Sequence, residues 1–180
     1  NMKAYFASEM STAEYKTRVE SFYGRLTAEQ YSSILYYSDS GHKKINYSSS
    51  PLGADLAVDV NSALDCADTE WKTVYRASDD FSGHDLTVNS VVSFPAFVST
   101  SYNPQVTFKF LNKETPTIYV IKTYHGAEIS MVHNEMEVLL PKGLMFKIDK
   151  IETVDFHAAY PDTDYHVSRE NVKTVYLTQI

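Results

Sequence analysis

Glu135-Met136-Glu137 puts two carboxylates one residue apart, directly ahead of the apolar run Val138-Leu139-Leu140. The run reads as a strand, and in a strand the side chains at i and i+2 share a face. Two like charges side by side cost stability unless something positive faces them. The solvent face of an edge strand would tolerate the pair, because charge there discourages edge-to-edge association. Two other stretches favour a chemical reading. Val74-Tyr75-Arg76-Ala77 carries an arginine at the end of a β-like run, and Phe97-Val98-Ser99-Thr100-Ser101 ends another run on three hydroxyl side chains.

The elements that must position these groups fall into two textures. The first third is helical. Ser11 and Glu14 fit a capping box, with Tyr15, Val19, Phe22 and Leu26 recurring at helical spacing behind it. Thr27 and Gln30 fit a second box ahead of Tyr31, Ile34 and Leu35, and that helix should stop at Ser38-Asp39-Ser40-Gly41. A third helix is expected with Ser50 as its cap, Pro51 at its first position and Leu52, Leu56, Val60 and Leu64 on its buried face. From about Lys72 the chain turns to short runs rich in Val, Ile, Tyr, Phe and Thr: KTVYRA, VVSFPAFVST, TIYVIKT, EMEVLLP, LMFKIDKIETVDF and VKTVYLTQI. One short helix is expected around Asn103–Leu111. Helices followed by strands indicate an α+β chain, and 180 residues suit a single domain over 1–180, with a helical lead to about 70 and a β-rich part from about 71.

Composition narrows the function classes. The net charge of −7 and the lack of any basic cluster longer than Lys43-Lys44 argue against nucleic-acid binding, which rests on phosphate neutralisation. No apolar run approaches the roughly 18–20 residues of a membrane span. The N-terminus lacks the basic-then-apolar pattern of a signal peptide, and Asn1 ahead of Met2 reads as a cloning remnant. The lone Cys66, read as a small buried helical side chain, excludes an intrachain disulfide and a multi-cysteine zinc site. His42, His84, His125, His133, His157 and His166 are scattered and read as surface residues, so no metal is expected. Asn46-Tyr47-Ser48 is a formal glycosylation sequon of low specificity.

Taken in order, the strand-closing Arg76, the Phe-x-Ser-Thr-Ser segment Phe97–Ser101 and the Glu135-x-Glu137 pair resemble the R-S-E class of mono-ADP-ribosyltransferases. That class includes bacterial toxins, effectors and phage enzymes that modify host proteins with NAD. Phe110 stands at the spacing where the family carries a phenylalanine beside nicotinamide. Gly126–Ser130 is similar to the segment leading into the family's substrate-recognition loop. Glu135–Ile151 resembles the strand pair after that loop, especially in the catalytic parts of binary toxins. Upstream, Leu26–Asn46 resembles the helical lead with its tyrosine-containing turn. The likeness covers about residues 26–151.

The resemblance implies two packed β-sheets behind the helical lead, with the NAD cleft between them. It also implies roles. Glu137 would face the positive charge that develops on ribose as the nicotinamide bond breaks, a transition state akin to glycoside cleavage. A carboxylate ~4 Å from that charge is worth up to about 4 kcal/mol at an effective dielectric near 20, roughly three decades of rate. Glu135 would orient and deprotonate the acceptor, and Glu-x-Glu favours arginine. Arg76 would pair with the phosphates, Ser99 would hydrogen-bond Glu137, Thr100 and Ser101 would support that strand end, and Phe110 would stack on nicotinamide. Ala77 stands where the family usually has glycine, and its backbone can serve the nicotinamide amide provided its φ stays negative. The arginine that many relatives carry after Ile-Asn is replaced by Tyr47-Ser48-Ser49-Ser50, which leaves phosphate binding to Arg76, Lys43 or Lys44, or to backbone amides.

The expected partners are NAD, a target protein recognised through the loop Tyr124–Asn134, and an immunity or carrier protein. The expected setting is a secreted or injected effector or toxin acting in another cell's cytosol, or a phage protein in the bacterial cytoplasm. Two rival readings share the fold: an NAD glycohydrolase without a protein acceptor, and a binding domain that has lost catalysis.

Overall fold

The computed structural model describes residues 1–41, 51–81, 84–111, 114, 116–132 and 135–180. Lys43, Lys44, His42, His133, the sequon and the Ser50 cap lie outside the described residues. Helix α1 spans Thr12–Tyr23, and its cap Ser11 accepts from the Glu14 N–H at 3.1 Å. It buries Tyr15, Val19 and Phe22, as the helical spacing requires. Helix α2, Ala28–Tyr36, opens on the full Thr27/Gln30 capping box. It runs into a π-helical turn, Tyr37–Gly41, at the expected stop. Ser33 and Ile34 take its buried positions, while Leu35 stays 38% exposed. Helix α3, Pro51–Leu64, buries Val60 and Leu64. Cys66 follows the helix instead of lying in it and is only half-buried, with its Sγ toward the Ser62 carbonyl.

Among the described residues nine strands follow the expected texture, with four departures. β1 (Lys3–Phe6) precedes the helices and was not anticipated: four residues carry little periodicity, and its partner β8 supplies the pairing. β2 is Lys72–Ala77. The run VVSFPAFVST is two strands, β3 (Val91–Ser93) and β4 (Val98–Ser101), because Pro95 between them has no N–H to donate to a ladder. The Asn103-capped 3-10 helix Pro104–Phe110 fills the expected helical slot. β5 (Thr117–Thr123), β6 (Ala127–Glu128), β7 (Glu137–Leu140) and the long hairpin β8 (Met145–Ala159) and β9 (His166–Gln179) complete the set. The third departure is β6, which was not among the expected runs; in the fourth, Glu135 lies outside β7 and Met136 has φ 45°, in the left-handed region. The glutamates are therefore not set side by side by strand alternation.

The strands form one hydrogen-bonded path, β1-β8-β9-β5-β2-β4-β7-β6, with β3 beside β8. Among the described residues the two expected sheets are joined in this one path. The path divides where β2 meets β4, since these share a single register pair, Tyr75 with Ser101. β7 is buried on both faces, which explains its unbroken apolar run. Val138 and Leu140 pack with Tyr15 and Val19 of α1, while Leu139 packs with Ile34 of α2 and Val60 of α3. Gly126, at φ 133°, lets β6 approach β7 closely: a Cβ there would lie 2.6 Å from Leu140 Cδ2. Among the described residues no helix is long and apolar enough to cross a membrane.

Candidate active site

The junction of β2 and β4 opens into a cleft of about 440 Å³. Every site residue expected from the sequence lines it: Arg76, Ala77, Ser99, Thr100, Ser101, Phe110, Glu135 and Glu137. Register accounts for much of this. β4 pairs antiparallel with β7, Ser101 opposite Glu137 and Ser99 opposite Leu139. Residues opposite one another share a face, as do i and i+2, so Ser99, Ser101 and Glu137 project from the same side. Ser99 is the diagonal neighbour of Glu137, and its hydroxyl donates to that carboxylate. Thr100 points the other way, is buried, and donates to the Val138 carbonyl at 2.7 Å. It supports the strand end from behind.

Burial pushes the Glu137 carboxyl above the usual carboxylate range; the Ser99 hydrogen bond opposes this and the nearby Glu135 charge adds to it. Glu135 is held differently. Its carbonyl accepts from Ser101 Oγ, and its carboxylate accepts from Ser130 Oγ at 3.4 Å. Between them Met136 is 1% exposed in the main core, and its carbonyl accepts from the Tyr102 N–H at 3.1 Å. A left-handed non-glycine residue costs about 1–3 kcal/mol, which the burial of the Met136 side chain offsets. The kink, anchored by that side chain, is what brings both carboxylates to one cleft.

Arg76 is both an ion-pair partner and a cleft residue. Nε donates to Asp80 Oδ2 at 2.7 Å, Nη2 to Asp80 Oδ1 at 3.2 Å, and Nη1 to the Ser99 carbonyl at 2.8 Å. Of the five N–H donors of a guanidinium, three are engaged by these contacts and two are left for a ligand. Burial pushes the Asp80 carboxyl up, but the Arg76 hydrogen bonds and charge, with the Ser78 hydroxyl, outweigh it and hold the group below its usual range. Phe110 is 66% exposed, so its ring is not spent on the core. Lys109 beside it is a further cation lining the cleft.

Sequence reasoning missed several contributors. Tyr37 and Ser38, on the turn after α2, line the cleft, as do Tyr75, Val106 and Thr107. Asp80 had a local signal, its i+4 spacing from Arg76. Tyr15 had none, since it meets Glu137 and Ser130 across more than a hundred residues, and Ser130, five residues ahead of Glu135, sits in a stretch with no periodicity to aim it. Among the described residues no group of three or more His, Cys, Asp or Glu could hold a metal ion.

A family model described as ADP-ribosyltransferase exoenzyme matches residues 11–177. No match was found among curated protein sequences. Among solved structures, the enzymatic component C2-I of the C2-toxin from Clostridium botulinum aligns over 96% of this chain and 47% of its own, at 18% identity and TM-score 0.71. This chain thus spans about half the length of C2-I. Vis toxin from Vibrio splendidus aligns over 94% of this chain and 82% of its own, at 22% identity and TM-score 0.67. BECa, from a binary enterotoxin of C. perfringens, aligns over 94% and 48%, at 17% identity and TM-score 0.68. At these identities the likeness shows the fold.

Proposed function

We propose, for a chain that belongs to the ADP-ribosyltransferase exoenzyme family, that it transfers ADP-ribose from NAD to a protein side chain, arginine, and releases nicotinamide. The observation that carries this reading is the convergence of Arg76, Ser99, Phe110, Glu135 and Glu137 on one cleft. NAD lies there with its phosphates on the two unengaged donors of Arg76 and its nicotinamide ring against Phe110. The Ala77 backbone serves the nicotinamide amide. As the glycosidic bond breaks, positive charge spreads over the ribose, and the Glu137 carboxylate, held by Ser99, faces it. The acceptor guanidine enters past Glu135, which orients it and takes its proton. Burial makes the Glu137 carboxylate costly in the resting cleft, so its charge is best satisfied when the cation forms.

Two neighbours carry ligands of matching chemistry. The BECa structure holds NADH, and Vis has been solved with agmatine, a small guanidine. The toxin titles of these neighbours support an effector or toxin role here, with a protein target met through the segment around Ser130–Val132 and a carrier or immunity protein as a further partner.

The test is to incubate the protein with labelled NAD and a cell lysate, beside Glu137→Gln and Glu135→Gln, and to measure labelled bands and free nicotinamide. Loss of both products in Glu137→Gln, and of bands alone in Glu135→Gln, is the expected result. Hydroxylamine release of the label identifies arginine. Nicotinamide without bands in the wild type supports the glycohydrolase reading. Silence from a folded wild type overturns catalysis in favour of a binding domain.

A further inference from the structure

Tyr15, in the first turns of α1, is 4% exposed, and its hydroxyl joins two segments remote in sequence. It donates to the Glu137 carbonyl and accepts from the Ser130 N–H at 3.0 Å. A phenol has one proton to give, so both of its roles are filled. Burial pushes this phenol far above the ordinary tyrosine range, with the charges of Glu137 and Glu128 adding to the effect against the Ser130 hydrogen bond, so it stays a donor at any working pH. Tyr23, eight residues along the same helix, donates to the Ile129 carbonyl. Helix α1 therefore grips the segment ahead of Glu135 at two successive residues.

The two carboxylates do not depend equally on this grip. Glu137 has independent supports: its carbonyl also accepts from the Ile129 N–H at 3.2 Å, and its strand is registered against β4 from Val98 to Ser101. Ser130 has fewer. Among the described residues its N–H finds Tyr15 alone, and its hydroxyl lies 3.4 Å from both the Glu135 carboxylate and the Val132 carbonyl while accepting from the Val132 N–H at 3.1 Å. Removing the Tyr15 oxygen frees the Ser130 backbone, and with it the group that holds Glu135, while Glu137 keeps its place.

We infer that Tyr15 is a positioning residue for Glu135, acting through Ser130, and that its hydroxyl favours transfer to an acceptor over hydrolysis of NAD by water. The inference rests on the acceptor role proposed for Glu135. No atom of Tyr15 takes part in bond making. The effect is on where the Glu135 carboxylate sits when the acceptor arrives, and misplacement of an orienting group costs rate without loss of the reacting bond's own catalyst.

The experiment compares wild type, Tyr15→Phe, Ser130→Ala and Glu135→Gln with NAD in the presence and absence of agmatine. It measures ADP-ribosyl-agmatine, acceptor-free nicotinamide release and the thermal midpoint. Tyr15→Phe and Ser130→Ala are expected to lower agmatine modification about tenfold, with acceptor-free nicotinamide release within about twofold of wild type. A merely structural tyrosine would lower both reactions together, and that result overturns the inference. So does an unchanged ratio in both variants while Glu135→Gln separates the reactions. If Tyr15→Phe loses stability, Ser130→Ala decides, since it keeps the backbone bond to Tyr15 and removes the later link, from Ser130 Oγ to Glu135, outside the core. Absence of any agmatine product from wild type, or no separation in Glu135→Gln, refutes the acceptor reading itself and the inference with it.

Discussion

Phe110 and Phe108 lie two residues apart in one 3-10 helix and face different surroundings, so truncating each separates binding from packing. Phe110 is 66% exposed, whereas Phe108 packs on a buried cluster with its ring 6.0 Å from that of Phe156. A nicotinamide ring laid on Phe110 covers on the order of 60 Å² of apolar surface, about 1.5 kcal/mol at 25 cal/mol per Å². Stacking geometry adds about 0.5–1.5 kcal/mol. Phe110→Ala should therefore weaken NAD binding by about 2–3 kcal/mol, roughly 30- to 150-fold, while stability stays within about 0.5 kcal/mol. Phe108→Ala should instead lower stability by about 2–4 kcal/mol, short of a fully buried ring. Isothermal titration with NAD at low temperature reads the affinity, and urea denaturation reads the stability. A large stability loss in Phe110→Ala with NAD affinity unchanged would refute the reasoning, because the ring would then be a packing residue and the cleft would have no nicotinamide platform.

Three more outcomes follow from the structure. On the proposed mechanism nicotinamide release needs ionised Glu137, whose carboxyl burial holds above the usual range; Ser99 pulls it down and Glu135 pushes it up. The acid limb of the pH–rate profile should thus lie above the ordinary glutamate range, move to higher pH in Ser99→Ala and move to lower pH in Glu135→Gln. The same raised carboxyl means Glu137 costs stability once pH rises past the ordinary glutamate value, so Glu137→Gln should gain stability relative to wild type at neutral pH in a denaturant titration. Gly126→Ala must place a Cβ 2.6 Å from Leu140 Cδ2 at φ 133°, and should lose about 2–4 kcal/mol of stability in urea while the wild-type contacts of Ser99 and Arg76 stay untouched.

Much of the scaffold was legible because its signals are local. The Thr27/Gln30 box, the buried stripe of α1, the proline opening α3 and the runs KTVYRA and TIYVIKT depend on neighbours within one turn or one strand, and each element forms where its residues say. β1 was not legible, since four residues acquire strand identity only by pairing with β8, about 150 residues away. Leu35 looked like core and is not, because the neighbouring Ser33 and Ile34 face the packed side.

The residue types of the site were set by the sequence itself: two carboxylates, an arginine, a hydroxyl strand and an aromatic, in an order that chemistry could use. How they meet was decided only by tertiary structure. Strand alternation suggested that Glu135 and Glu137 stand side by side, yet a left-handed Met136 held by core packing sets them instead. The Arg76 fork is aimed by Asp80 and by the Ser99 carbonyl across the β2–β4 junction. Tyr15 reaches Ser130 and Glu137 from a helix more than a hundred residues earlier. Periodicity reports which face of an element a side chain takes; it carries no information about which remote backbone groups that face will find. Those contacts exist only once burial has brought the elements together.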